Sequence, residues 1–452
     1  MPVQPVAKSK KDSLYSTILL LAWPVMAQMF LQTLAQMVDM AMVGRLGQAA
    51  IAAVGLSFRP MFVGQAIFLG LGVATTALVA RFIGARDEDA ATKAAAQSLL
   101  TSSALALALA AFGFFFAREI TLFMGAQDDV IPLGIQYLQA FSPGLFFLML
   151  STIMTSSLRA AGDTKTPFYA GLFANGLNVF LNYALIFGHF GLPALGVQGA
   201  ALATSIAHLS TAIILFFALL RGKGGLHLKV SDFTILDWPL IGRIFRIGIP
   251  AALERLVMSL SVMLHVKILA ALGTTAVAVS TLSGNIEQLS YMPSIGFAVA
   301  ATTLVGQNLG AGTPQEAERS GWGAARLCAL FMGTMGLLFL IVPGIFVRIY
   351  TDDPAVIAPA VQVLRIIGIS QLPQAFAFVA SGILRGAGDT NAVLIFVFLG
   401  NVVIRLGLSY LFVLVFGWGL WSAYVAVLAD WIFRGIALTH WVRLGRWQVK
   451  AV

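Results

Sequence analysis

Asp39 closes a run in which Gln28, Gln32, Gln36 and Asp39 recur at i, i+4, i+8 and i+11, one face of a helix. Asn175, Asn178 and Asn182 recur at i, i+3 and i+7, again a single face. A carboxylate beside several amide oxygens is a ligand set for sodium, a hard ion that takes oxygen donors. The same carboxylate, withdrawn from water, could instead take up and release a proton. Further along, Glu254, Met258, Ser261 and His265 share a face, and Glu287 shares one with Ser280, Gly284 and Tyr291. His265 could titrate near neutral pH. Asp430 and Arg434 stand four apart, where an ion pair along the helix is the economical reading. Other chemistries find no residues to work with. Cys328 is the single cysteine, so neither an internal disulfide nor a thiolate cluster can form. The five histidines are too far apart for an HExxH pair, and no GxxxxGK[ST] loop occurs. These absences argue against an enzyme, a metal centre beyond a sodium ion at Asp39, or any organic cofactor.

The elements that carry these residues must be membrane-spanning helices. Of the 452 residues, 59% are hydrophobic and 10% are charged, and the mean hydropathy is +0.89. A soluble domain carries about 25% charged residues, so this chain cannot clothe a water-soluble globule. Apolar runs predict twelve spans, near 14–43, 50–77, 94–117, 132–156, 167–188 and 196–220, then 242–269, 277–303, 321–347, 357–382, 392–416 and 419–442. Asp39, Glu254, Glu287 and Asp430 then fall inside hydrocarbon, where an ionisable group is costly and invites a functional explanation. With the N-terminus placed in the cytoplasm, nineteen of the 28 basic residues fall in cytoplasmic segments and three outside. That asymmetry predicts a plasma (inner) membrane protein with both termini cytoplasmic. It also accounts for the net charge of +9 without invoking nucleic acid. Lys8 to Lys11 precede an apolar run too long for a signal peptide, so the run is expected to remain as the first helix.

Sliding the chain against itself by 226 residues lays Leu158–Thr164 (LRAAGDT) on Leu384–Thr390 (LRGAGDT), six of seven identical. The same offset aligns Pro24 with Pro250, Gly47 with Gly273, Gly84 with Gly310, and Asn175 with Asn401. The chain is therefore an internal duplication of a six-helix unit in parallel orientation, an arrangement found in alternating-access transporters. In each copy the Arg is expected at a helix end, with Asp163 or Asp389 capping the next helix. The offset places Glu254 at the position of Gln28 and His265 at that of Asp39, so the two halves have specialised differently.

Over essentially its whole length the chain resembles the multidrug and toxic compound extrusion (MATE) family. The resemblance rests on Trp23-Pro24 with Asp39, the two LRxAGDT copies, Val305–Gly312 (VGQNLGAG) and Gly196–Ala201 (GVQGAA). It implies an all-α integral membrane protein whose twelve helices form two pseudo-symmetric bundles around a central cavity. It further implies a secondary antiporter that exports organic, often cationic compounds against protons or sodium ions. In the family an Asp on helix one matches Asp39, an Asn on helix five matches Asn178, and a Thr on helix six matches Thr204. The DinF-like branch often has an Asp where this chain has Asn182. The NorM-like branch has an acid matching Glu254, with a partner acid whose place is taken here by Gln374.

The expected layout is a cytoplasmic N-terminal tail (1–13), a first bundle (14–220), a linker (221–240), a second bundle (241–443) and a cytoplasmic C-terminal tail (444–452). The candidate coupling group is Asp39, Asn175, Asn178, Asn182 and Thr204; the second-half candidates are Glu254, Glu287, His265 and Gln374. Gln28, Gln32, Gln36, Met37, Met258 and Tyr291 are candidates for lining a cavity. Helix one is rich in methionine (Met26, Met29, Met37, Met40, Met42), which suits repacking around varied ligands. Expected partners are small organic, cationic substrates and membrane lipid, with the chain acting as a monomer. The competing expectation is a lipid-linked intermediate flippase or a dedicated metabolite exporter of related fold. A flippase predicts several cavity cations and extra C-terminal helices.

Overall fold

The computed structural model describes residues 14–234 and 236–450, apart from the side chains at 58–60, 62–63 and 230. The expected tail at 1–13 lies outside the described residues. Among those described, twelve helices are long and apolar enough to cross a membrane. We number them α1 (Leu14–Gly44), α2 (Gln48–Gly84), α3 (Glu88–Phe115), α4 (Ile131–Ala160), α5 (Lys165–Phe187) and α6 (Gly196–Leu220). The second set is α7 (Trp238–Ala270), α8 (Thr274–Gly310), α9 (Pro314–Ile341), α10 (Pro354–Gly386), α11 (Thr390–Val415) and α12 (Leu420–Arg443). Their helical form follows from the solvent. Hydrocarbon offers backbone N–H and C=O groups no partner, so each span must satisfy its own.

The chain divides into two compact units, but the boundary does not fall in the 221–240 linker. Among the described residues, one unit is Ala27–Ile249; the other joins 14–26 with the chain from Pro250 onward. Both divisions run through helices, α1 and α7, next to the equivalent prolines Pro24 and Pro250. A proline inside a helix removes one backbone hydrogen bond and crowds the preceding turn, so the two stretches of each helix can follow different neighbours. Ile18, Leu21 and Ala22 of α1 accordingly join the core that α8, α9, α10 and α12 build in the second unit.

Within the first unit, α5 and α6 touch closely because Gly199 lacks a side chain. A Cβ there would stand 2.5 Å from the Leu185 carbonyl oxygen. Gly144 does the same for α4 against α6, and Ser205 Oγ donates across that contact to the Ala140 carbonyl at 2.9 Å. Small residues at such crossings let van der Waals contact replace the hydrophobic drive that lipid does not supply. Asp163 caps α5 as expected, accepting from Thr166 N at 2.9 Å and Thr166 Oγ1 at 2.5 Å.

The second unit repeats this framework with different side chains. Thr302 Oγ1 donates to the Gly382 carbonyl at 2.9 Å, and its equivalent in the first unit, Thr76, donates to the Ser156 carbonyl at 3.5 Å. Asp389, by contrast, does not cap α11. Its carboxylate accepts from Trp441 Nε1 at 3.0 Å and from Lys450 Nζ. The C-terminal segment is held there further by Trp447, which is fully buried. With those partners in place, Asp389 is committed to the tail. Helix α11 widens to i→i+5 bonding over Leu399–Leu406 and again over Leu411–Val415. Such π segments often mark functional stretches, and this one carries Asn401 and Arg405, with Ser409 just beyond.

Candidate functional site

Four of the five residues expected to form the first group meet in the first unit. Asn182 Nδ2 donates to Asp39 Oδ1 at 2.5 Å, joining α5 to α1. The Asn178 amide is best placed with its nitrogen toward Asp39, 2.8 Å from Oδ1 and 3.2 Å from Oδ2. Its oxygen then accepts from Thr204 Oγ1 of α6 at 3.3 Å. Gly199 is what brings Thr204 within reach, since it sets the distance between α5 and α6. Asn175 makes none of these contacts among the described residues. Tyr137 on α4 lies within electrostatic reach of Asp39 and is almost wholly buried. The sequence reading missed Tyr137; its only signal was a phenol between Gln136 and Gln139 in a predicted span.

The geometry is that of an ionised carboxylate held by amide donors, the arrangement that gives charge-assisted bonds. One atom is left over. Asn182 Oδ1 is fully buried and has no hydrogen-bond partner among the described residues. A buried acceptor without a donor costs about 1–3 kcal/mol, so reversal of this amide toward a cation or a protonated Asp39 would give its oxygen the partner it lacks. Asp39, Asn178, Asn182 and Thr204 offer only oxygen donors to a cation, which fits a hard ion such as sodium. Taking one up would require the Asn178 and Asn182 amides to turn their oxygens inward. A proton on Asp39 would ask the same of one amide.

The amide stripe on α1 does not all face this group. Gln28 accepts from Arg159 Nη2 at 2.7 Å, whereas Gln32, Gln36 and Met37 are exposed. At about 100° per residue, Asp39 lies roughly 20° round the helix from Gln28, but Gln32 and Gln36 lie about 40° and 80° away. That drift turns them off the packed face.

The second-unit candidates do not converge on one point. Glu254 is buried against Arg385, the Arg of the second LRxAGDT copy. This is the contact that Gln28 and Arg159 make in the first unit, at equivalent positions. Glu287 accepts from Gln374 Nε2 at 3.2 Å, and Gln371 Nε2 donates to Gln374 Oε1 at 3.3 Å. His265 Nδ1 stands 3.2 Å from Ser409 Oγ, with Nε2 buried and without a partner among the described residues. Asp430 forms the expected pair with Arg434 (2.6 and 2.7 Å) and also receives Arg405 Nη2 at 2.7 Å. Met258 and Tyr291 line a crevice with Glu254, Arg255, Arg385 and Trp431. Among the described residues no three metal-ligating side chains cluster.

Comparison with known proteins agrees with the repeat. The family model MatE matches residues 24–184 and 250–411, two segments that begin 226 residues apart. The chain is 31% identical over 455 residues to the protein named "Probable multidrug resistance protein NorM" of Thermotoga maritima, spanning 100% of this chain and 96% of that one. A protein of the same name from Burkholderia pseudomallei is 32% identical over 434 residues, 92% of this chain and 91% of that one. A solved structure described as the "Outward-facing conformation of a multidrug resistance MATE family transporter of the MOP superfamily" superposes with a TM-score of 0.88 at 25% identity, over 97% of this chain and 98% of that one.

Proposed function

The chain belongs to the MatE family of multidrug efflux transporters, and from that premise we propose that it is a cation-coupled antiporter working by alternating access. It exports small organic, often cationic compounds in exchange for protons or sodium ions, and acts as a monomer in the plasma (inner) membrane with both termini cytoplasmic. The asymmetry of basic residues along the chain supports that orientation.

The observation that carries the reading is the convergence of Asp39, Asn178, Asn182 and Thr204 in one hydrogen-bonded group that leaves an amide oxygen unsatisfied among the described residues. With Asp39 empty, the two amides donate to its carboxylate and hold α1 against α5. With an ion or proton on Asp39, an amide that reverses presents its oxygen to the new charge or hydroxyl. The bonds that tie α1 to α5 then exchange rather than simply break. A group with two such bonding patterns is a bistable element, and differential ion binding to its two states can shift their populations. Glu287 with Gln374, and His265 with Ser409, are secondary candidates for the same kind of exchange in the second unit.

The test is efflux from proteoliposomes under an imposed sodium gradient and, separately, an imposed proton gradient. Acceleration by one gradient identifies the coupling ion. Efflux indifferent to both overturns the antiporter reading.

A further inference from the structure

The two LRxAGDT loops are tied down by different parts of the chain. In the first, Asp163 accepts from the backbone N–H and the hydroxyl of Thr166, so the loop is fixed by the helix that follows it. The 226-residue offset puts Ala392 in the place of Thr166, and with it the hydroxyl donor is gone. Asp389 makes no cap. It accepts instead from Trp441 Nε1 at 3.0 Å and pairs with Lys450, 61 residues further on.

The segment Leu444–Lys450 that brings Lys450 to this point is seated along its length. Trp447 is fully buried, and its Nε1 donates to the Val442 carbonyl at 2.7 Å. Gln448 Nε2 donates to Glu318 Oε2 of α9 at 3.2 Å, and Trp322 Nε1 donates to the other Glu318 oxygen at 3.3 Å. On the α10 side of the loop, Gly386 lies so close to α8 that a Cβ would stand 2.4 Å from the Thr302 carbonyl oxygen. Arg385, the partner of Glu254, is thus set between a close backbone contact on one side and an ion pair on the other. That ion pair is open to solvent at its basic end, since the Lys450 side chain is 36% exposed and that of Asp389 is 9% exposed. Salt can therefore screen it. We propose that Leu444–Lys450 is a releasable clasp on the second repeat loop. With Lys450 on Asp389 the loop and Arg385 are held; with the pair open the loop loosens while α10 stays packed on α8. The first loop, capped locally, has no such release. Duplication followed by loss of one hydroxyl has left one unit with a fixed loop and the other with a switchable one.

The test is hydrogen–deuterium exchange, read by mass spectrometry, on the purified full chain in nanodiscs. No gradient or substrate is applied, so this result is independent of the antiporter reading. Lys450→Gln should speed exchange about fivefold in 444–450 and in 386–391, as expected for a local opening, and leave 160–166 as in the wild type. Lys450→Arg should keep wild-type exchange. Raising salt from about 0.05 M to about 0.5 M should speed the same two segments in the wild type and not in Lys450→Gln. Faster exchange in 444–450 with 386–391 unchanged, no change in either, or equal acceleration of 160–166 would each overturn the clasp. A second arm rests on the export reading: Lys450→Gln should lower the maximal efflux rate about threefold with KM unchanged, because Lys450 reaches Arg385 only through the loop. Wild-type efflux by this variant would overturn the link to transport. Efflux missing from the wild type itself would sink the export reading, while the exchange result still decides the clasp.

Discussion

Replacing Asp39 by Asn keeps the volume and removes the charge, so it separates coupling from folding. In the native group Asp39 accepts from Asn182 at 2.5 Å and Asn178 at 2.8 Å. A bond to a charged acceptor contributes about 1.5–3 kcal/mol, against about 0.5–1.5 kcal/mol for a neutral one. Two bonds weakened in this way loosen the α1–α5 contact by roughly 2–3 kcal/mol, too little to unfold twelve helices. The effect on the ion is larger. A monovalent cation about 4 Å from a carboxylate gains about 4 kcal/mol at an effective dielectric of 20. Losing that gain weakens ion binding about a thousandfold, at about 1.4 kcal/mol per tenfold. The assay is substrate efflux from proteoliposomes, with gradient-free substrate exchange as a control. Asp39→Asn should abolish acceleration by the coupling gradient while exchange persists at a measurable rate. Wild-type gradient-driven efflux by this variant would refute the assignment of Asp39. Loss of both activities with an unchanged melting temperature would place Asp39 in substrate binding instead.

Other substitutions test the supports around that group. Gly199→Ala forces a Cβ to within 2.5 Å of the Leu185 carbonyl and should cost about 1–3 kcal/mol as overpacking, read as a lower melting temperature and weaker ion coupling together. Asp430→Asn strands Arg405 and Arg434 without their shared acid. Breaking one partner of a buried pair costs about 3–5 kcal/mol, so thermal unfolding of this variant should shift further than for any exposed acid. The linker offers a pH test. The hydrogen bond from Lys93 and that from the Leu240 backbone hold Asp237 below the usual carboxylate range. Its contribution is therefore full above the unfolded value and is lost as pH falls through the lower, folded one. Proteolysis at the linker should stay slow at neutral pH and rise only in acid, whereas Lys93→Ala should speed it at neutral pH.

Some of the candidate sites were legible because helical spacing survives folding. Asn178 and Asn182 recur at a helical interval and do share the face that meets Asp39. Asn175 also sits on that face by its spacing, yet no hydrogen bond joins it to the carboxylate among the described residues. Gln32 and Gln36 show the same limit in rotation. A stripe spaced i, i+4, i+8 drifts away from the contact line, and nothing within one helix states where that line runs. Tyr137 was invisible for a related reason: its link to Asp39 crosses from α4 to α1, between residues almost a hundred apart.

Composition and repeat therefore decided the solvent, the twelve helices and the duplication, while the motifs carried the family resemblance. These follow from how many apolar residues cross hydrocarbon and from identity at a constant offset. Tertiary packing decided which polar residues share a partner. The Arg of LRxAGDT occurs twice, but only the fold shows it reaching Gln28 in one unit and Glu254 in the other. One substitution at equivalent positions thus turns an arginine's bond to a neutral amide into a buried ion pair. Packing also placed Arg405 on the acid that the helical interval had assigned to Arg434 alone, because the third partner arrives from α11. Periodicity along a chain constrains faces; distances between helices depend on the small residues at their crossings, and those distances bring the chemistry together.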